Sequence, residues 1–321
     1  MKKSLEYYSK NFNPYQYKQV KIVEFPKNRL LYAECFPNLI PFSENYSFIA
    51  KFDGTKVEYV FRVTAHEMSH QWWGHQVMGG NVEGIFLLSE GLAQYSALMV
   101  NKNEYPRAFI NEYIKTRIDH YLKGRARETS KEVPLALTNF GARYLNYEKS
   151  MVVMNALQDY IGEDNLNAAI RKFLRETAFR EPPFPTSRQF LEYVKAVTPV
   201  HLKYIIPDMF ETITLYENRA INADYEQLEG GKYRIRLEFA AEKIKADGDG
   251  NEKSVPISDY ITFGIFGDRG EELYLQKHLL TPGTTKLEFV VDKVPARAGI
   301  DPYYFLIDKN TGDNVINVRK K

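Results

Sequence analysis

The hydrophobic period changes once along this chain, near residue 222, and that change limits the fold more than any other feature. From Thr55 to about Leu215 apolar residues recur at helical spacing. The expected helices cover residues 55–73, 85–101, 106–123, 148–161, 163–176, 187–197 and 200–210. Thr55 and Glu58 form a capping-box pattern at the start of the first, and Gly74 is its stop. Residues 125–146 are less periodic and read as a long loop. After residue 222 the period drops to two. Tyr233, Ile235, Leu237 and Phe239 alternate with charged residues, as in a half-buried strand. Similar runs occur at 255–266, 272–276, 286–291 and 303–307. Turn signals separate them, among them Gly230-Gly231, Asp247-Gly248-Asp249-Gly250 and Pro282-Gly283. The first 54 residues read as mixed structure, with a helix at 4–10 and strands at 20–25, 30–36 and 46–52. The expected fold is α+β, with a mostly helical domain over 1–222 and an all-β sandwich of immunoglobulin-like type over 223–321.

Composition removes several function classes. Lys and Arg total 43 against 41 Asp and Glu, a net charge of +2, and no basic tract stands out. A nucleic-acid binder would show a basic excess, so that role is excluded. No apolar run approaches the roughly 18 residues that span a bilayer. Met1-Lys2-Lys3-Ser4 does not begin a secretory signal, so the chain as given reads as soluble. The lone cysteine, Cys35, rules out an internal disulfide framework and a cysteine-rich metal site, and reads as a small buried hydrophobe.

His66-Glu67-Met68-Ser69-His70 is an H-E-x-x-H motif within an expected helix. Residues four apart share a helix face, so the two imidazoles can hold one Zn²⁺, with Glu67 beside them as general base. A catalytic zinc needs a third protein ligand and an open position. No H-x-x-G-x-x-H arrangement completes the motif after His70. Glu90 in Leu88-Ser89-Glu90-Gly91-Leu92-Ala93 is the candidate, because a carboxylate in an apolar stretch is costly unless paired or ligating. Glu83 is nearby but flanked by loop residues and reads as solvated.

His66-Glu67-Met68-Ser69-His70-Gln71-Trp72-Trp73-Gly74, followed by Leu88-Ser89-Glu90-Gly91-Leu92-Ala93, resembles the aminopeptidase-N family of gluzincin zinc peptidases. That resemblance implies a thermolysin-like catalytic domain with a helical lobe, one Zn²⁺ per chain, and peptide substrates with a free N-terminus. It implies His66, His70 and Glu90 as ligands and Glu67 as base. In the family eighteen residues separate the motif from its Glu. Here residues 71–89 intervene, one more, and a bulge near Met78–Asn81 is the expected place for it. Tyr147-Glu148-Lys149-Ser150 is similar to the family's Y-x-K-G, with Ser for Gly, and implies Tyr147 as donor to the oxyanion. Phe42-Ser43-Glu44-Asn45 partly matches G-x-M-E-N, and implies Glu44 as anchor of the substrate amine.

A closer resemblance runs through Gly74-His75-Gln76-Val77, Ala93-Gln94-Tyr95-Ser96-Ala97-Leu98-Met99-Val100, Ala156-Leu157-Gln158-Asp159-Tyr160-Ile161-Gly162 and Phe210-Glu211-Thr212-Ile213-Thr214-Leu215-Tyr216. These strings look like a bacterial branch in which the peptidase domain is fused to an ABC-transporter permease-like membrane segment, and whose spacing to the Glu is longer. The family's usual N-terminal domain has no counterpart in these 321 residues. An endopeptidase on the same zinc chemistry, or a catalytically silent peptide-binding or regulatory module of a transporter, are the competing readings. Other features read as structural. Trp72 and Trp73 suit a core, and Asp247–Asn251 suits a hairpin turn better than a calcium loop. Lys123, Arg125 and Arg127 suit a solvated loop, with a substrate carboxylate as their other reading.

Overall fold

A computed structural model describes residues 1–29, 32–46, 51 and 53–321. The chain divides into two compact units, Met1–Thr212 and Ile213–Lys321. The first opens with helix α1 (Lys2–Asn11) and two short parallel strands, β1 (Lys21–Phe25) and β2 (Leu39–Ser43). Helix α2 (Tyr59–Ser69) follows. A π-helical turn at Leu87–Gly91 leads into α3 (Leu92–Glu104), and α4 (Arg107–Arg127) comes next. A second π-turn, Tyr144–Lys149, leads into α5 (Ser150–Ile161). Helices α6 (Glu163–Thr177) and α7 (Ser187–Val197) complete the lobe.

Burial separates these helices into two kinds. Every residue from Leu92 to Asn101 in α3 and from Ser150 to Leu157 in α5 is buried, so these two pack against each other as central helices. By contrast α6 buries Leu166, Ala169, Ile170, Phe173 and Leu174, a single stripe at helical spacing. Each large apolar side chain so covered contributes about 1.5–3 kcal/mol. Helix α7 begins where Thr186 accepts a hydrogen bond from Gln189 N–H at 3.3 Å.

Helix α2 starts four residues later than its sequence pattern predicts. Thr55 does not cap it. Its backbone N–H and its hydroxyl both donate to Asp53 Oδ1, at 2.9 and 2.7 Å. That local turn competes with helix initiation, and Glu58 occupies the cap position instead. The expected strand at 46–52 lies mostly outside the described residues, as do residues 30 and 31. The described part of 30–36 forms only bridges, Ala33 to Phe42 and Phe36 to Leu39.

The second unit is a two-sheet β structure. One sheet is built on β3 (Ile213–Gln227) and β4 (Tyr233–Ala246), which pair along almost their whole length. The other edge of β4 carries β5 (Glu252–Val255) and β8 (Lys286–Val291). The second sheet has β6 (Asp259–Phe266) between β7 (Glu272–Leu280) and β9 (Arg297–Ile300), with β10 (Val315–Asn317) on β9. A short β11 (Arg319–Lys320) runs parallel to β3. Ile235, Leu237 and Phe239 of β4 are buried as their alternation predicts, and the Phe239 ring meets Phe263 of β6 at 4.9 Å.

Two expectations differ from this unit. The division falls at 212/213, not at 222, because Ile213–Tyr216 are buried in succession and so lack strand alternation in the sequence. Residues 303–307 form no strand. The Asp301 carboxylate accepts from Phe305 N–H at 3.0 Å and Leu306 N–H at 2.9 Å, which turns the chain there.

Gly84 fixes the segment between the H-E-x-x-H helix and Glu90. Its φ is +89°, and an added Cβ would stand 2.1 Å from both the Ala136 carbonyl oxygen and Ser187 Oγ. Gly141 has φ +98° with nothing within 4 Å of such a Cβ. Gly141→Ala should therefore cost only the left-handed backbone term, about 1–2 kcal/mol. Gly84→Ala adds the steric clash and should lose at least about 2 kcal/mol more. Urea unfolding of the two variants measures this, and equal losses would refute the close approach.

Candidate metal centre

Helix α2 presents His66 and His70 one turn apart on one face. Glu90 comes from the π-turn that opens α3, the helix against which α2 packs. His66 Nε2 and His70 Nε2 stand 3.1 Å apart. Glu90 Oε2 lies 3.1 Å from the first and 3.6 Å from the second. Among the described residues this is the one cluster of three metal-ligating side chains. Glu90 Oε2 is buried yet makes no hydrogen bond of good geometry. A tetrahedral ion about 2.0–2.1 Å from its ligands sets those ligand atoms about 3.4 Å apart. The observed separations bracket that value, and two imidazoles with a carboxylate are a zinc-type donor set. The residues therefore fit a zinc ion.

The neighbours hold this arrangement. His70 Nδ1 lies 2.9 Å from the Trp73 carbonyl oxygen, so it carries the proton there and leaves Nε2 bare toward the cluster. Burial lowers the His70 pKa, but Glu90 beside it outweighs burial and raises the group to about 9. Burial opposes ionisation of Glu90, yet His70 and His66 hold its carboxyl well below the usual carboxylate range. The cluster is thus built to stabilise positive charge.

A cavity of about 780 Å³ opens onto these three residues. Glu67 lines it at 7% exposure, and burial pushes its carboxyl up despite His66 and His70. A carboxylate of raised basicity suits proton transfer. Tyr147 lines the cavity with its ring 5.9 Å from that of His66. Burial first, then Glu90, raise its phenol far above its usual range, with Arg143 working against them. Tyr147 therefore stays protonated, as a donor, at neutral pH. It rides on the second π-turn, which a buried ionic cluster anchors. Lys149 Nζ donates to Glu132 at 2.9 Å, and Tyr121 and Arg125 donate to the same carboxylate, each at 2.7 Å. Arg125 thus belongs to a helix, α4, and not to a solvated loop.

Glu44 is not brought to the cavity. It follows β2, and its Oε2 lies 3.3 Å from the Lys27 backbone nitrogen. Glu34 lines the cavity in its place. The segment holding Glu34 folds back on β2, through the Ala33–Phe42 bridge and the Glu34 N–H to Pro41 carbonyl bond at 3.2 Å. The usable signal was Ala33-Glu34, a carboxylate just before the turn that leads into β2. Cys35 is half-buried on the cavity wall, where burial, then Glu67, raise its thiol to about 12. Glu83 is exposed, and His75 lines the cavity with Nε2 3.3 Å from the Cys35 carbonyl oxygen. The sequence patterns gave no sign that Arg62 and Arg143 also reach this wall.

Glu90 sits in a π-turn, Leu87–Gly91, whose i→i+5 bonds take up one residue more per turn than an α-turn.

The family profile described as "Peptidase family M1 domain" matches residues 1–204. Endoplasmic reticulum aminopeptidase 2 of Homo sapiens is 27% identical over 128 residues, 38% of this chain and 13% of that protein. Endoplasmic reticulum aminopeptidase 1 of Rattus norvegicus is 23% identical over 121 residues, 36% of this chain and 13% of that protein. An M1 zinc metallopeptidase of Deinococcus radiodurans, solved with a Tyr-Ser-Ala substrate, is 17% identical with a TM-score of 0.47, over 64% of this chain and 42% of that one. This chain therefore spans about an eighth of the two aminopeptidases and under half of the solved structure. With the family profile running through the whole helical lobe and the metal cluster inside it, the chain belongs to peptidase family M1.

Proposed function

We propose that this chain is a zinc-dependent aminopeptidase. The observation that carries the reading is the convergence of His66, His70 and Glu90 within 3.6 Å of one another, on a cavity that Glu67 and Tyr147 also line. His66, His70 and Glu90 would hold the ion. When bound, zinc supplies Lewis acidity, which polarises a carbonyl and makes water a nucleophile near neutral pH. Glu67 takes the proton from the attacking water and passes it to the leaving amine. Tyr147 donates its phenol proton in a hydrogen bond to the oxyanion, a contact stronger in the transition state than in the ground state. Glu34, on the same wall and exposed, pairs with the substrate ammonium in the role that the sequence motif suggested for Glu44. That pairing places the first residue next to the metal and makes cleavage exopeptidic. We also propose that the intact protein carries a permease-like membrane segment, which the four motif strings of the bacterial branch support. No helix among the described residues is long and apolar enough to cross a membrane.

Dialysed protein should hold about one zinc per chain by elemental analysis. Glu90→Ala should lose it while Glu83→Ala keeps it, and equal retention would remove Glu90 from the ligand set. Glu67→Ala should retain zinc and lose kcat on an aminoacyl anilide by orders of magnitude. Tyr147→Phe should lower kcat about 10²-fold at nearly constant KM. Glu34→Ala should raise KM for free-amine peptides, whereas Glu44→Ala should not. Equal rates on N-acetylated and free-amine peptides would point to an endopeptidase instead.

A further inference from the structure

Two guanidiniums on the cavity wall have no role in the chemistry above. Arg62 precedes His66 by four residues on α2, so it shares the metal-binding face one turn away. Its guanidinium carbon lies 4.8 Å from the Tyr59 ring centroid and 5.3 Å from that of Tyr113. Nη1 makes a long contact of 3.4 Å to the Tyr113 hydroxyl. Arg143 precedes Tyr147 by four residues and lies 5.2 Å from the Tyr147 ring centroid. Among the described residues neither guanidinium has a carboxylate within ion-pair distance. Glu148, the one carboxylate among the groups named as acting on Arg62, is already held by Arg117 at 2.9 Å. The tyrosine rings thus hold the Arg62 guanidinium, whose hydrogen bond is the long one from Nη1 to Tyr113, and the Tyr147 ring flanks that of Arg143, so both keep donors facing no carboxylate.

Building on the aminopeptidase reading, we propose that Arg62 and Arg143 recognise a carboxylate on the residue that follows the scissile bond. That carboxylate is either an acidic side chain or the free C-terminus of a dipeptide. The placement follows from the distribution of charge. The ammonium is drawn to Glu34, and a carboxylate on the first residue would lie among Glu34, Glu67 and Glu90. The leaving residue lies across the scissile carbonyl, beside Tyr147 and therefore beside Arg143. A planar guanidinium with free donors binds carboxylate in a forked geometry that a neutral amide cannot reproduce.

The test uses two matched peptide pairs, X-Glu-NH₂ with X-Gln-NH₂ and X-Ala with X-Ala-NH₂. X is the residue best released from an anilide panel. Hydrolysis rates and calorimetric Kd values are both measured on the zinc-loaded protein. The charged member of at least one pair should be favoured about tenfold in kcat/KM and in Kd, the scale of one charge-assisted hydrogen bond. The first pair reports a side-chain carboxylate and the second a C-terminal one. Arg62→Met and Arg143→Met should each bring the ratio toward one, and Arg62→Lys should restore part of it. Since Arg143 is exposed, its replacement leaves the fold intact. Ratios near one in both pairs would overturn the proposal, as would a preference that survives both substitutions. Charge-selective binding without hydrolysis would sink the peptidase reading and leave this one standing. Hydrolysis of every peptide without charge selectivity would do the reverse.

Discussion

Three atoms that each seek a cation, His66 Nε2, His70 Nε2 and Glu90 Oε2, are held within 3.6 Å in a site mostly closed to water. Such a cluster needs a shared positive charge, a metal ion or the proton that Glu90 draws onto His70, and the three atoms must be kept in place to hold either one. The lobe therefore has to hold α2 against its neighbours. It does so at several points on the helix and just beyond it. The Tyr8 hydroxyl donates to the Ala65 carbonyl at 2.8 Å, next to His66. Trp73 Nε1 reaches Ser96 Oγ of α3 at 2.9 Å. Trp72 Nε1 donates to the Asn13 carbonyl at 2.7 Å. Both indoles are fully buried, so their apolar area and their single donors act together.

Glu90 and Tyr147 come from different helices but are delivered by the same device. Each stands in a π-turn just before a helix whose first turns are buried on every side, α3 or α5. A π-turn shifts the register by one residue, which aims a side chain out of the helical stripe that the core would otherwise claim. The two turns meet where Gly91 faces Ser150. A Cβ on Gly91 would lie 3.0 Å from Leu87 Cδ1 and 3.3 Å from Ser150 Oγ, so the glycine permits the approach. Behind Tyr147, the Glu132 carboxylate is shared by Lys149, Arg125 and Tyr121. Burying those charges is costly and contributes little net stability, but removing one partner would leave another unpaired, so the cluster holds the turn in one geometry.

The parts of this design that depend on period or fixed spacing are legible in the sequence. His66, Glu67 and His70 follow from helix geometry, and the two central helices from long apolar runs. The amphipathic α6 and the alternating β4 were equally plain. What failed depends on partners distant in sequence, or on a local competitor. The Thr55 cap lost to Asp53, two residues away. Strand β3 hid because Ile213–Tyr216 are buried on both faces. Glu34 precedes the turn into β2, but that position gains meaning only because its segment doubles back on β2, and Glu44, two residues beyond buried Phe42, is as suitable by composition. Arg62 and Arg143 gave no signal at all, because a helical Arg usually faces solvent and nothing local says that a cavity lies in front of it.

Exposure also sorts the carboxylates of the cavity into different tasks. Glu67 is 7% exposed, while Glu34 is open to solvent. A buried carboxylate has little hydration to compete with, so its interaction with a moving proton is strong and sensitive to where charge develops. Such a group acts on the transition state, and its removal registers in kcat. An exposed carboxylate keeps its charge and its water and meets an ammonium in a higher dielectric, with an attraction nearly equal in the ground and transition states. That is uniform binding, which registers in KM. The same reasoning divides the cations. Arg62, with two tyrosine rings against its guanidinium and a hydrogen bond to one of them, loses little freedom on meeting an anion, whereas Arg143 is exposed and must be ordered by it. Of the two, Arg62 is the one whose geometry is set before the substrate arrives, and the larger share of any charge selectivity should rest on it.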